Sequence, residues 1–128
     1  MSNPSAEAQQ TKALLEKNFA AYKLAQLELS KGIQARTQLT SQYNENESVI
    51  EELNRLDDDA NVFKLIGPAL IRQDLVEAKS NVSKRIEYIK NEMDRSDSQL
   101  KSLESKNKDK EAELIKLQKK LQSLAQGP

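Results

Sequence analysis

Glu51 and Glu52 stand side by side, and Asp57, Asp58 and Asp59 follow in the run "RLDDDAN". Carboxylates in groups are the residue type for general acid/base work or for holding a hard cation. Acid/base work needs positioned groups in a dry pocket. A calcium loop needs oxygen ligands at alternating positions around a glycine turn. Consecutive aspartates lack that spacing, so these residues read as solvated helix ends and no metal is expected. The chain contains no cysteine and no histidine. That removes thiol nucleophiles, thiolate zinc sites and disulfides, along with the side chain best suited to proton transfer near neutral pH. No glycine-rich phosphate loop is present. "KRIEYIK", residues 84–90, alternates charge along a helix and reads as a solvated flank. The sequence points away from an enzyme, and no cofactor is expected.

What remains is interaction chemistry, and the elements that would present it. The chain has 128 residues, of which 31% are charged and 4% aromatic. A compact globule needs more apolar material to offset its ordering entropy. The bias toward Ala, Glu, Lys, Leu, Gln and Ser suits long helices. Lys and Arg number 20, as do Asp and Glu. No basic face or tail of the kind a general nucleic-acid binder carries stands out, so no nucleic acid is expected, and a nucleic-acid-binding helical arm is the weakest alternative. No apolar run is long enough to cross a membrane. No signal-peptide core stands at the N-terminus. The expectation is a soluble intracellular protein, cytoplasmic by default.

Glycine and proline punctuate chains. Apart from Gly32 they lie near the ends (Pro4, Gly127, Pro128) or at the centre (Gly67, Pro68), leaving two long arms. In the C-terminal arm, steps of four and three from Val82 visit Ile86, Ile89, Met93, Ser96, Leu100, Leu103, Asn107, Lys110, Leu114, Leu117, Leu121 and Leu124. A narrow apolar seam sustained over several heptads predicts a coiled coil. Asp74 with Glu77 marks the start as an N-cap and capping-box partner.

The N-terminal arm is less regular. Its expected seam runs Leu15, Phe19, Tyr22, Gln26, Leu29, Ile33, Arg36, Leu39, Tyr43, Asn46, Ile50 and Leu53. The two successive steps of three around Arg36 predict a stammer. Seam aromatics such as Phe19, Tyr22 and Tyr43 read as packing.

Folded back on itself, the chain pairs Leu53 with Ala78, Ile50 with Val82, Tyr43 with Ile89, Leu29 with Leu103 and Leu15 with Leu117. Polar breaks then fall together: Arg36 with Ser96, Gln26 with Asn107, Tyr22 with Lys110. Scattered, each would face an apolar partner at a cost. The fold class expected is mainly α, with two long helices (about 6–57 and 74–125) in an antiparallel coiled coil and a single central β-hairpin over 61–73. A parallel homodimeric rod is the alternative.

The centre, "NVFKLIGPALI", is the most apolar stretch of the chain. Two short branched runs around Gly67-Pro68 predict the hairpin, without fixing its turn type. A lone two-stranded hairpin is at best marginally stable in water. Val62, Phe63, Leu65, Ile66, Leu70 and Ile71 would forfeit about 1.5–3 kcal/mol each if left exposed. Partner strands that complete a sheet or barrel resolve this. The alternatives are a hairpin that caps its own coil, or one that serves a tethering protein as a docking module.

Between helices, "VFKL-GP-L-QDL-EA---V-KRI-YI" over 62–89 resembles the beta-type subunits of the prefoldin family, and the resemblance runs over roughly 7–124. The single hairpin with Gly67-Pro68 is the specific part, since alpha-type subunits carry two. The resemblance implies one prefoldin-like domain over 1–128. It implies a heterohexamer with other alpha- and beta-type subunits, joined through hairpin barrels. It implies a chaperone that uses no ATP, captures unfolded actin and tubulin and delivers them to the cytosolic chaperonin. Fraying helix ends then suggest client contacts at Leu14, Leu15, Phe19, Leu117, Leu121 and Leu124.

Overall fold

The computed structural model describes residues 4–126. Residues 1–3 and 127–128 of the expected 1–128 domain lie outside the described residues. The elements in order are helix α1 (Pro4–Asn54), strand β1 (Val62–Ile66), strand β2 (Ala69–Gln73) and helix α2 (Leu75–Gln126). Pro4 sits at the first helical position, where a missing N–H costs nothing. Two turn bonds follow the last turn of α1, from Arg55 N–H to the Glu52 carbonyl and from Leu56 N–H to that of Leu53. Beyond them Asp57–Ala60 closes a further turn. No basic residue stands in the last turn of α1, and three aspartates follow. Negative charge there opposes continuation of the helix. At the start of α2 the Ala78 N–H donates to the Asp74 carbonyl, and Glu77 places an acid in the first turn.

The chain divides into two units. One comprises residues 4–34 with 98–126; the other is 35–97. In the first, α1 and α2 run antiparallel. Lys106 pairs with Glu28 at 3.3 Å and Lys120 with Glu7 at 3.8 Å. Both pairs are half-exposed and contribute little stability, but they record the register. The core of this unit holds Thr11, Ala25, Leu114 and Leu117. In the second unit Leu75, Ala78, Val82, Ile86 and Ile89 of α2 are buried. Arg36 donates from Nε to Asp97 Oδ1 at 2.7 Å and from Nη2 to Oδ2 at 3.4 Å. The expected partner was Ser96, one residue away.

The seam of α2 follows the expected positions. That of α1 does not. Phe19, Gln26 and Ile33 are exposed. Their places are taken by Asn18, Ala25 and Gly32. Among the shielded positions, Thr11, Leu15, Asn18, Tyr22, Ala25, Leu29, Gly32, Arg36, Leu39, Tyr43, Asn46, Ile50 and Leu53 alternate four and three without interruption, flanked by Ala21, Glu28 and Glu47. The expected stammer is absent. At Gly32 the physical reason is size matching: Leu100 and Leu103 of α2 fill the space a side chain would need. A Cβ built on Gly32 would lie 3.0 Å from Leu100 Cδ2 and 3.1 Å from Leu103 Cδ1.

That contact sets an expected result. Gly32→Ala gains about 1 kcal/mol of helix propensity. It also presses on two leucine methyls that can yield by a fraction of an ångström, so the two effects nearly cancel. Gly32→Leu overpacks the site and destabilises by about 1–3 kcal/mol. Urea melts of the two variants check this. A stabilised Gly32→Leu protein would show that α2 does not close on Gly32.

Candidate assembly and client-contact surfaces

β1 and β2 pair antiparallel, with Val62 opposite Gln73, Phe63 opposite Arg72, Lys64 opposite Ile71, Leu65 opposite Leu70 and Ile66 opposite Ala69. Gly67 and Pro68 form the two-residue loop. Gly67 has φ +57°. Proline cannot take positive φ, which leaves a turn of the II′ kind, with glycine at the first central position. Its twist matches that of the strands.

Side chains alternate across the strands. One face carries Phe63, Leu65, Leu70 and Arg72; the other carries Val62, Lys64, Ile66, Ala69, Ile71 and Gln73. Phe63, Leu65 and Leu70 are 55%, 68% and 69% exposed, and Ile66 and Ile71 about half. Val62 alone of the six expected assembly residues is partly shielded. It borders a groove of about 450 Å³ with Val49, Leu53, Ala78 and Val82. The sheet has two strands, so each strand leaves one edge unpaired. Asp57, Asp58 and Asp59 are exposed before β1, and Asp58 and Asp59 line a cleft with Arg72 and Asp74.

The expected client residues separate into two groups. Leu14 and Phe19 on α1 are 48% and 47% exposed, with Lys23 Nζ 4.7 Å from the Phe19 ring centre. On α2, Leu117 is buried, while Leu121 and Leu124, like Leu15 of α1, are half-buried in the seam. A search along the seam passes over Leu24 and Leu27, both more than half exposed on α1. The signal for them was the presence of two leucines off the heptad in an otherwise polar surface.

Arg36 also donates from Nη1 to Thr40 Oγ1 at 2.6 Å. Its pKa is raised, first by the hydrogen bond to Asp97 and further by the charges of Asp97 and Asp94, against some desolvation. A raised arginine stays charged at every working pH, and the stability it adds is lost only at extreme alkalinity. Asn107 Oδ1 is buried in the seam with no hydrogen-bond partner. Among the described residues no group of acidic side chains is arranged to hold a metal. No described helix is long and apolar enough to cross a membrane.

Comparison with known proteins agrees with this geometry. A family model described as "Prefoldin subunit" matches residues 16–127. Prefoldin subunit 6 of Arabidopsis thaliana is 48% identical over 102 residues, covering 80% of this chain and 79% of that protein. The Homo sapiens prefoldin subunit 6 is 41% identical over 108 residues, 84% of each chain. The Saccharomyces cerevisiae protein of that name is 36% identical over 84% of this chain and 95% of its own. The crystal structure of the prefoldin beta subunit from Thermococcus strain KS-1 superposes with a TM-score of 0.66 at 23% identity. It covers 89% of this chain and 94% of that one, a likeness of fold. Two long helices around a single hairpin, a family model that spans most of the length and relatives this similar lead to one conclusion: the chain belongs to the prefoldin subunit family.

Proposed function

We propose that the chain is a non-catalytic, ATP-independent chaperone subunit of the cytoplasm. Its hairpin joins other alpha- and beta-type prefoldin subunits in a heterohexamer. The assembly captures unfolded actin and tubulin and passes them to the cytosolic chaperonin. The observation that carries this reading is the hairpin, whose two faces both expose large apolar side chains and whose two edges are both open. Burying such residues contributes about 1.5–3 kcal/mol each, enough to drive assembly once partner strands supply the missing cover. Among the expected client residues, Leu14 and Phe19 are accessible, and Leu24 and Leu27 extend the same chemistry along α1. Leu15, Leu117, Leu121 and Leu124 reach a client only when the helix ends fray. Several weak contacts of this kind, one set per subunit, hold an unfolded chain by avidity and still release it.

Native mass measurement on the complex co-purified with this chain tests the proposal. The expected species has six chains, this one among other prefoldin subunits. A monomer or homodimer as the sole species would instead favour a tethering coiled coil.

A further inference from the structure

The two open edges of the hairpin differ in the surroundings of their cationic side chains. Lys64 occupies the middle of β1, exposed and opposite Ile71. No ion pair of Lys64 occurs among the described residues, and the groove it borders contains Arg85 and no carboxylate. Arg72 on β2 is different, since it shares its cleft with Asp58, Asp59 and Asp74. With a two-residue turn, Ile66 and Ala69 form the first hydrogen-bonded pair, so Phe63 and Leu65 direct their free N–H and C=O groups off the open side of β1.

If two copies paired through β1, one antiparallel register alone would match all five strand residues. It sets Val62 against Ile66, Phe63 against Leu65 and Lys64 against Lys64 of the second copy. That central pair is of the non-hydrogen-bonded kind, with the shortest side-chain separation, and like charges directly opposite destabilise a sheet. Pairing β1 with another copy's β2 in the hairpin's own register sets Lys64 beside a second Ile71, again without a countercharge. Residues 62–73 contain no Asp or Glu, so no strand of this chain can supply one. The same central register on β2 sets Ile71 against Ile71, with no such conflict.

We propose that Lys64 makes the β1 edge heterotypic: it rejects a second copy of this chain and takes a strand from a different subunit that carries a carboxylate opposite Lys64. A lysine on an edge strand is a known device against self-pairing; here it also selects. The inference rests on the reading of the hairpin as the assembly module.

The test uses the full chain with Lys64→Leu, Lys64→Glu and, as control, Phe63→Asp, each checked for unchanged helicity. Alone, Lys64→Leu assembles beyond the size at which the unmodified chain stops. Lys64→Glu alone stops where the unmodified chain does, but an equal mixture of the two forms larger species than either. In competition for co-expressed prefoldin subunits, Lys64→Glu is incorporated at least tenfold less than the unmodified chain. If Lys64→Leu and the mixture show no larger species, or if Lys64→Glu is incorporated equally, the proposal is overturned. Phe63→Asp separates the two failures. Should it too be incorporated normally, the hairpin is not the assembly module; should it be excluded while the Lys64 variants behave as unmodified, only the selectivity of β1 is refuted.

Discussion

A chain carrying Phe63→Asp together with Ile71→Asp is expected to keep its helices and to be absent from every complex of prefoldin subunits. The two positions lie on opposite faces of the hairpin. Phe63 shares its face with Leu65 and Leu70, and Ile71 shares the other with Ile66 and Ala69. Both are about half exposed in the single chain, so aspartate stays solvated there and leaves the helices untouched. The buried residues of the helices are elsewhere, from Leu75 to Ile89 in one unit and around Ala25, Leu114 and Leu117 in the other. Assembly reverses the balance. Partner strands would bury both carboxylates beside one cross-strand cation each, Arg72 opposite position 63 and Lys64 opposite position 71, and a buried ion pair in place of an apolar contact still costs about 1–4 kcal/mol. At about 1.4 kcal/mol per tenfold, two such sites together weaken incorporation by a hundredfold or more. Circular dichroism reads the helices and size exclusion reads the complex. Normal elution of the double variant with the other subunits would show that the hairpin is not the joint.

The second large effect concerns the client. Replacing Leu14 and Phe19 with serine should leave folding and assembly intact, since both side chains are about half exposed and off the α1 seam. Surface substitutions of this kind change stability by about 0.5 kcal/mol or less. Protection of unfolded actin from aggregation should nevertheless fall several-fold. Adding Leu24→Ser and Leu27→Ser should lower it further, to the level that the contacts on the other subunits sustain. Leu117→Ser is the contrast. That residue is 7% exposed, and truncating a buried leucine costs about 2–5 kcal/mol. Its variant should melt early and lose protection only as the coil loosens. Equal protection by the Leu14/Phe19 variant and the unmodified complex would move the client site to another surface.

The sequence exposed α2 almost position by position, because large apolar residues recur there at every third or fourth step. The hairpin was equally legible, with "NVFKLI" and "ALIRQ" on either side of a Gly-Pro pair that permits little but a tight reversal. α1 was legible as a helix and misread in its facing. Phe19 and Ile33 drew the seam toward themselves because they are large. The positions turned inward are instead the small or polar Thr11, Asn18, Ala25 and Gly32, spaced one heptad apart. Size matching across a coiled coil belongs to the pair of helices, so α1 alone carried no statement that Leu100 and Leu103 needed room. An unbroken alternation of four and three was the available signal. It was outweighed by side-chain size. The same bias toward size puts Phe19 on the expected seam, whereas in the structure it lies off it and is about half exposed.

Light scattering of actin diluted from denaturant decides whether the complex is a chaperone that works without nucleotide. The assay is run without nucleotide, in the presence of the purified complex containing this chain. Scattering is expected to be suppressed at a near-stoichiometric ratio of complex to actin. Suppression should disappear when the Phe63→Asp/Ile71→Asp chain replaces the unmodified one. Undiminished scattering with the intact complex, or suppression that needs ATP, would contradict the proposed function.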